Sequence, residues 1–499
     1  NTRAGAGQLN ILAGTSWQQT LTEGKFLFAT GFSSDALLKD IRSASTVTVR
    51  SNDYRQYNYQ SVFGRVNYNL LQKYIVNLTF RRDGSSRFGP GKRFGNFGAA
   101  GLAWVFSEER FAEGISFLSF GKIRGSYGTT GNDQIGDYQY LDTWGSSSFP
   151  YGGLTGLTPT RVYNADYSWE VNKKKEIALE LGFFQNRILL TTNYYNNRSS
   201  NQLIGRTLSA QSGFSSYIAN LPAKVENSGW EFELNSTNVK GKNFTWETAF
   251  NITLPANKLL EYPGLDKSAD ASSYEVGQSI RMIKGFQFTG VNPATGIPEF
   301  LDVNNDGVIS SPKDYVVLGE TMPKFYGGLS NSLSYNNLSL DIFFQFVNQE
   351  SITADWGPTV SVYGAMANKD VSALDRWMKP GDITNIPRAS ATSANAANVA
   401  FRNFYRSSSA AWGDASYIRL KNVALSYDLS GVLKKIKLNG GSIYVLGQNL
   451  WTITNYKGLD PEINGFDRRF VFPINPFGSV KTQALPVLRT ITVGMKLSL

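Results

Sequence analysis

The 499-residue sequence contains no cysteine and no histidine. Without cysteine there is no disulfide to staple a loop and no thiolate to hold a metal. Without histidine there is no imidazole to serve as base or ligand, which removes most hydrolase triads and zinc sites. Long hydrophobic runs are missing too. Nowhere do about eighteen apolar residues follow one another, so no segment could cross a bilayer as a helix. A β-barrel is still open to the chain, because alternating strands leave only a weak hydropathy signal. The chain opens at Asn1-Thr2-Arg3 with neither Met nor an apolar leader, as a mature product or a piece of a longer polypeptide would.

What is present leans to β structure. Hydrophobic residues make up 41%, aromatics 13%, and there are 48 glycines, a balance in which Tyr, Phe, Thr and Asn outweigh long aliphatic blocks. The formal charge is +10. Lys and Arg are scattered singly through turns and strand ends, apart from Lys173-Lys174-Lys175 and Lys434-Lys435. That spread suits a solvated or headgroup-facing surface, whereas a nucleic-acid partner would want the charge on one face.

Alternation is clearest between Pro323 and Val347. Leu338, Leu340, Ile342, Phe344 and Phe346 interleave with Ser339, Asp341 and Gln345, and the preceding run from Phe325 to Tyr335 does the same. This period of two predicts strands with one apolar and one polar face. Asn336-Asn337 between them suits a tight hairpin. Each arm is long enough to cross a bilayer at a tilt. Similar strands are expected at Leu9–Trp17, Tyr57–Leu70, Tyr74–Arg81, Phe94–Phe106, Leu118–Tyr127, Ile177–Phe183 and Ile188–Asn197. Further ones follow from Trp230, from Phe244, at Tyr417–Leu429, at Ser442–Trp451 and at Val487–Leu499. That is about fourteen strands in all.

The connections alternate between short turns and long excursions at about 18–56, 129–172, 200–223, 255–324, 348–416 and 452–486. Short on one side and long on the other is how an up-and-down transmembrane barrel is built, with periplasmic turns and extracellular loops. A soluble sandwich or propeller has more uniform connections. The fold class predicted is therefore an all-β, transmembrane, antiparallel up-and-down β-barrel. Tyr74, Trp104, Tyr194, Trp230, Trp246, Tyr335, Tyr427 and Trp451 near strand ends fit an interfacial aromatic girdle.

Two kinds of site are suggested. Asp302, Asn304 and Asp306, followed by Gly307 and Val308, match the first half of a calcium loop, with Asp314 one position beyond the usual closing acid. This constellation reads either as a Ca²⁺ site (the one cofactor suggested) that pins a loop, or as an Asp-Gly turn held by Asx hydrogen bonds. Trp144, Tyr151, Trp356 and Trp412 lie in or near long connections and could stack on substrate, or simply pack there. The run Arg81–Pro90 reads as a structural turn with an Arg–Asp network, since phosphate cradling needs a following helix. Glu231 and Glu233 share a face, yet nothing beyond spacing makes them a glycosidase pair. No catalytic residues are identified.

Several stretches resemble the SusC/RagA-type TonB-dependent outer-membrane transporters. They are Phe63–Tyr68, Arg82–Gly89, Trp104–Glu109, Lys122–Gly128, Thr130–Asn132, the Asp302 loop leading to Val317–Gly319, Pro323–Gly328, Arg376-Trp377, Ile386–Arg388 and Ser416–Val423. The order matches across nearly the whole chain, least in the first fifty residues. The resemblance implies a 22-stranded outer-membrane barrel filled by a plug, lidded by a SusD-like surface lipoprotein and energised by the TonB complex. Oligosaccharides, peptides or similar nutrients would be its cargo. Residues 1–499 then correspond to the C-terminal part of the barrel. The plug, the TonB-contact segment and the remaining strands would come from elsewhere, because unpaired edges are intolerable in lipid. Two other readings stand beside import: a barrel with a binding, adhesion or secretion-associated scaffold role, and a soluble all-β carbohydrate-binding or hydrolytic protein.

Overall fold

The computed structural model describes residues 2–498 apart from 148, 150, 209, 215, 353–362, 367–368, 370, 434–438, 459 and 463–485. Its principal sheet has fifteen antiparallel strands in chain order. They are β1 (Thr2–Ala4), β2 (Gly7–Thr30), β3 (Thr46–Leu70), β4 (Tyr74–Ser85), β5 (Phe94–Trp104), β6 (Leu118–Asn132), β7 (Glu170–Phe183) and β8 (Ile188–Thr207). The order continues through β9 (Ser216–Lys240), β10 (Phe244–Glu261), β11 (Phe325–Tyr335), β12 (Leu338–Asn348), β13 (Tyr417–Asp428), β14 (Gly440–Thr454) and β15 (Thr490–Ser498). Fourteen of these are the strands the alternation predicts; the fifteenth, β1, is only three residues long. Contacts divide the chain into two compact units, Asn1–Val105 with Arg124–Glu176 and Asn197–Val225, and Phe106–Ile123 with Ile177–Asn196 and Glu226–Leu499.

Register shows why the strands take these faces. In the second unit Tyr335, Leu333 and Leu329 stand opposite Leu338, Leu340 and Phe344, and opposite Phe244, Trp246 and Phe250 on the other side. The row continues through Leu425 and Tyr427 on β13, Val445 and Ile443 on β14, and Val493 and Met495 on β15. In the first unit Ile11 lies opposite Val66, Val66 opposite Leu78 and Leu78 opposite Ala100. Along these rows the apolar residues gather on one face of the sheet and most of the polar ones on the other. The apolar face is bare: Ile11 is 68% exposed and Val493 77%. Exposed apolar surface of this extent is stable against lipid and not against water.

Tight turns close the short-connection side. Tyr335 pairs with Leu338 across a two-residue turn, and Asn336 adopts φ 50°, a left-handed conformation that asparagine accepts more readily than most residues. Tyr74 faces Trp104 across strands beside one such turn, and Tyr194 packs 5.0 Å from Trp230, as an interfacial girdle would.

The long connections differ from expectation in extent. β2 and β3 remain paired out to Thr30 and Thr46, so most of 18–56 is ladder. β8 and β9 likewise run to Thr207 and from Ser216, leaving little of 200–223 as loop. In the β2–β3 extension polar residues occupy both faces, so the ladder persists without the apolar alternation that betrays a strand, whereas in β9 Ala219, Leu221, Ala223 and Val225 are buried at a period of two, with small alanines in two of the four places. The connection between β6 and β7 folds back on the sheet. Its Tyr167 and Trp169 join Phe88 and Phe97 in a buried cluster, with Phe88 and Trp169 centroids 5.0 Å apart. Gly131 permits this approach: a Cβ there would come within 2.2 Å of the Phe97 ring. In the second unit Tyr363, Phe401 and Tyr405 of the β12–β13 connection form a second core, with Phe288 and Phe300 of the β10–β11 connection packed against it.

Candidate functional site

The polar face carries the chemistry. On the first unit, Arg81 donates to Asp83 at 2.6 Å and to the Tyr59 hydroxyl at 2.8 Å. Arg87 donates to Asp137 at 2.9 Å and to the Asp133 carbonyl at 2.9 Å, and its guanidinium lies 4.1 Å over the Tyr57 ring. The Tyr57 hydroxyl in turn donates to Asp133 at 2.8 Å. The Arg81–Pro90 run is thus a turn held in an Arg–Asp network, and it fastens the β6–β7 connection to β3 and β4. Partly desolvated arginine pairs with several hydrogen-bond partners fix geometry better than scattered surface pairs.

On the second unit a similar clasp centres on Arg419. The β13 residues Ile418 and Leu420 stand on the apolar face, so Arg419 between them projects to the other. Its guanidinium donates to Asp460 at 2.6 Å, to Glu462 at 2.5 Å and to the Thr452 hydroxyl at 2.8 Å. Lys421 completes the group with Glu462 at 2.9 Å. Arg419 and Asp460 are each 4% exposed. Asp460 also accepts from the backbone N–H groups of Glu462 and Val487, so every buried charge here has partners. Sequence reading missed this clasp. The only signal was an arginine at an inward-facing position in an apolar stretch, and its acidic partners lie some forty positions on, as the spacing of 41 to Asp460 shows.

The predicted calcium constellation is a compact turn. Asp302 accepts from the Gly307 N–H at 2.7 Å, Asn304 from Asp306 N–H at 3.1 Å, and Asp306 from Val308 N–H at 2.9 Å. Asp314 is fully buried and accepts from the Ser310 and Val303 N–H groups at 2.7 and 2.9 Å, and these bonds hold its carboxyl below the ordinary carboxylate range. Lys313 pairs with Asp306 at 3.4 Å. Among the described residues, no group of three Asp, Glu, His or Cys side chains is gathered as a metal would require. Within this loop the Asp302 Oδ1 atom is buried without a partner.

The aromatic candidates separate. Trp144 and Tyr151 stand exposed in the β6–β7 connection, at 59% and 93%, Trp144 on a short ribbon of Thr143–Ser146 with Leu157–Arg161. Trp412 is half-buried and donates its indole N–H to Glu350 at 3.0 Å, a bond that ties it to the start of the β12–β13 connection. Trp356 lies outside the described residues. Glu231 and Glu233 accept from the Asn193 and Asn235 amides at 2.9 Å, the ordinary satisfaction of acids on a polar sheet face.

The family described as TonB dependent receptor-like, beta-barrel, matches residues 1–450. TonB-dependent receptor P3 of Formosa agariphila is 32% identical over all of this chain and 51% of its own length. TonB-dependent receptor SusC of Bacteroides thetaiotaomicron is 28% identical, over 82% of this chain and 42% of its own. Among solved structures, that of the RagAB peptide transporter superposes with a TM-score of 0.79 at 25% identity, over 92% of this chain and 51% of that one. The chain spans about half the length of these relatives. A matched family, a SusC-like sequence and a sheet whose bare apolar face backs a polar one agree: the chain belongs to the TonB-dependent receptor β-barrel family of the outer membrane, in its SusC/RagA branch.

Proposed function

We propose that this chain supplies the C-terminal barrel portion of a transporter that imports oligosaccharides, peptides or similar nutrients, together with a SusD-like surface lipoprotein. The observation that carries the reading is the likeness to the RagAB peptide transporter across 92% of the chain. In this reading the apolar face meets lipid and the polar face lines the lumen. The Arg87 and Arg419 clasps hold connections against the wall so that the plug and substrate have a defined passage. Exposed Trp144 and Tyr151 offer flat faces for a sugar ring or a peptide side chain. Energy would come from the TonB complex acting on a plug supplied by the rest of the receptor.

The test is purification of the full receptor from its native membrane, followed by cryo-electron microscopy. A lipoprotein seated over the long connections and a plug inside the barrel would support import. A barrel with neither would favour the scaffold reading instead.

A further inference from the structure

On the apolar face of the first unit, beyond the last strongly apolar row, the residues change character. Register aligns Trp17, Gln60, Gly84 and Phe94 across β2 to β5. They line a groove of about 490 Å³ together with Gln19, Asn58 and Arg93. Gly84 keeps the groove open, since a Cβ there would lie 2.6 Å from the Phe94 ring and 3.2 Å from Gln60. Arg82, two residues nearer the apolar row on the same face, rests its guanidinium 5.1 Å over the Phe94 ring. Arg82 and Arg93 are exposed, and no carboxylate lines the groove.

Depth gives these residues a meaning. Tyr74 and Trp104 mark the girdle at the short-turn edge. Ten residues separate Tyr74 from Gly84 along β4. At about 3.4 Å per residue and a tilt of about 40°, that is roughly 26 Å along the membrane normal. The lipid-facing apolar band of an outer-membrane barrel is about 25 Å tall. The groove therefore lies at the headgroup level of the opposite leaflet, which is the outer one when the long connections lie outside. Two guanidiniums, two aromatic rings and three side-chain amides then face lipid headgroups with no balancing acid. Arginine forks match phosphate geometry, and Trp belongs at the interface.

We infer that this outward groove binds the phosphate of a phosphorylated glycolipid of the outer leaflet, with Arg82 and Arg93 on the phosphate and Trp17 and Phe94 against the sugar and upper acyl chain. The inference rests on the membrane orientation above and is independent of what the barrel carries.

The full receptor in detergent, titrated with bis-phosphorylated lipid A and followed by native mass spectrometry, tests it. The wild type is expected to retain that lipid over its dephosphorylated form. The pair Arg82→Ala and Arg93→Ala should weaken retention by about tenfold per guanidinium lost. Arg65→Ala, on the opposite face, should leave it unchanged, and Arg82→Lys with Arg93→Lys should restore part of it. Heat-modifiable mobility reports that each variant is folded. Equal retention by the Ala pair, equal retention of dephosphorylated lipid, or full displacement by millimolar inorganic phosphate would each overturn the assignment. A failure of nutrient uptake with lipid retention intact would instead bear on the import reading alone.

Discussion

Replacing Ile342 with arginine puts the two faces of β12 to a direct test. Ile342 shares its face with Leu340 and Phe344, opposite Asn331 on β11 and Val423 on β13. It lies four residues from Leu338 at the short-turn edge. That places it roughly 10 Å into a band about 25 Å thick, close to the mid-plane. Arginine on the lipid face at that depth costs about 2–4 kcal/mol, or roughly 30- to 700-fold in the folding equilibrium. The nearby Asn331 side-chain Oδ1 gives little relief, because it already accepts from Trp246 at 3.0 Å and Thr248 at 2.7 Å. Gln345 stands on the other face with Asp341, which accepts from Ser332 at 2.5 Å, and lies opposite Arg419 across the ladder, so a carboxylate meets no like charge there and Gln345→Glu should cost little. Heat-modifiable mobility and urea titration in lipid vesicles, with the full receptor, read the difference. Equal tolerance of Ile342→Arg and Gln345→Glu would refute the assignment of faces.

Other outcomes follow from the packing and the clasps. Phe88→Ala should remove the ring at the centre of the Phe97–Tyr167–Trp169 cluster and cost about 3–5 kcal/mol, seen as a lower midpoint in denaturant. Arg419→Ala strands the buried Asp460 and should cost about 3–5 kcal/mol locally. Hydrogen exchange at 455–458 and 460–462 should rise while the β13–β14 ladder stays protected. The Asp302–Asp314 turn should be pH-robust. Asp314 is held below its unfolded value by backbone donors, so its contribution is present above the ordinary carboxylate range of about 4 and fades only as pH falls through the lower folded value. Proteolysis of this loop should be the same at pH 7 and pH 5 and rise only in stronger acid. Calcium should shift its protection weakly; a saturable effect below about 0.1 mM Ca²⁺ would mean that Asp302 Oδ1 and its neighbours form a genuine site.

Much of the scaffold was legible in the chain, and the reason is physical. Leu338 to Phe346 alternates because one face meets apolar surroundings and the other does not, so a period of two is imposed on every membrane-level strand. The same logic hid the upper parts of β2 and β3. There Gln18, Gln19 and Thr20 sit opposite Tyr59, Asn58 and Tyr57, both faces are polar-tolerant, and the hydropathy carries no period. The clasps were opaque for another reason. Arg419 meets Asp460, and Arg87 meets Asp137, across tens of residues of connection, and no local pattern encodes such pairing. Trp412 shows the same limit, since only its bond to Glu350 separates a half-buried indole from an exposed one such as Trp144.

Under the proposed function, the full receptor to which this chain contributes imports a nutrient at the expense of energy delivered through TonB. Uptake of labelled peptides and oligosaccharides by cells producing the full receptor, with and without a functional TonB complex, measures it most directly. The account predicts accumulation of one cargo class that vanishes without TonB and falls when Trp144 and Tyr151 are replaced together by alanine. Accumulation indifferent to TonB, or surface binding of every cargo with no entry, would contradict it.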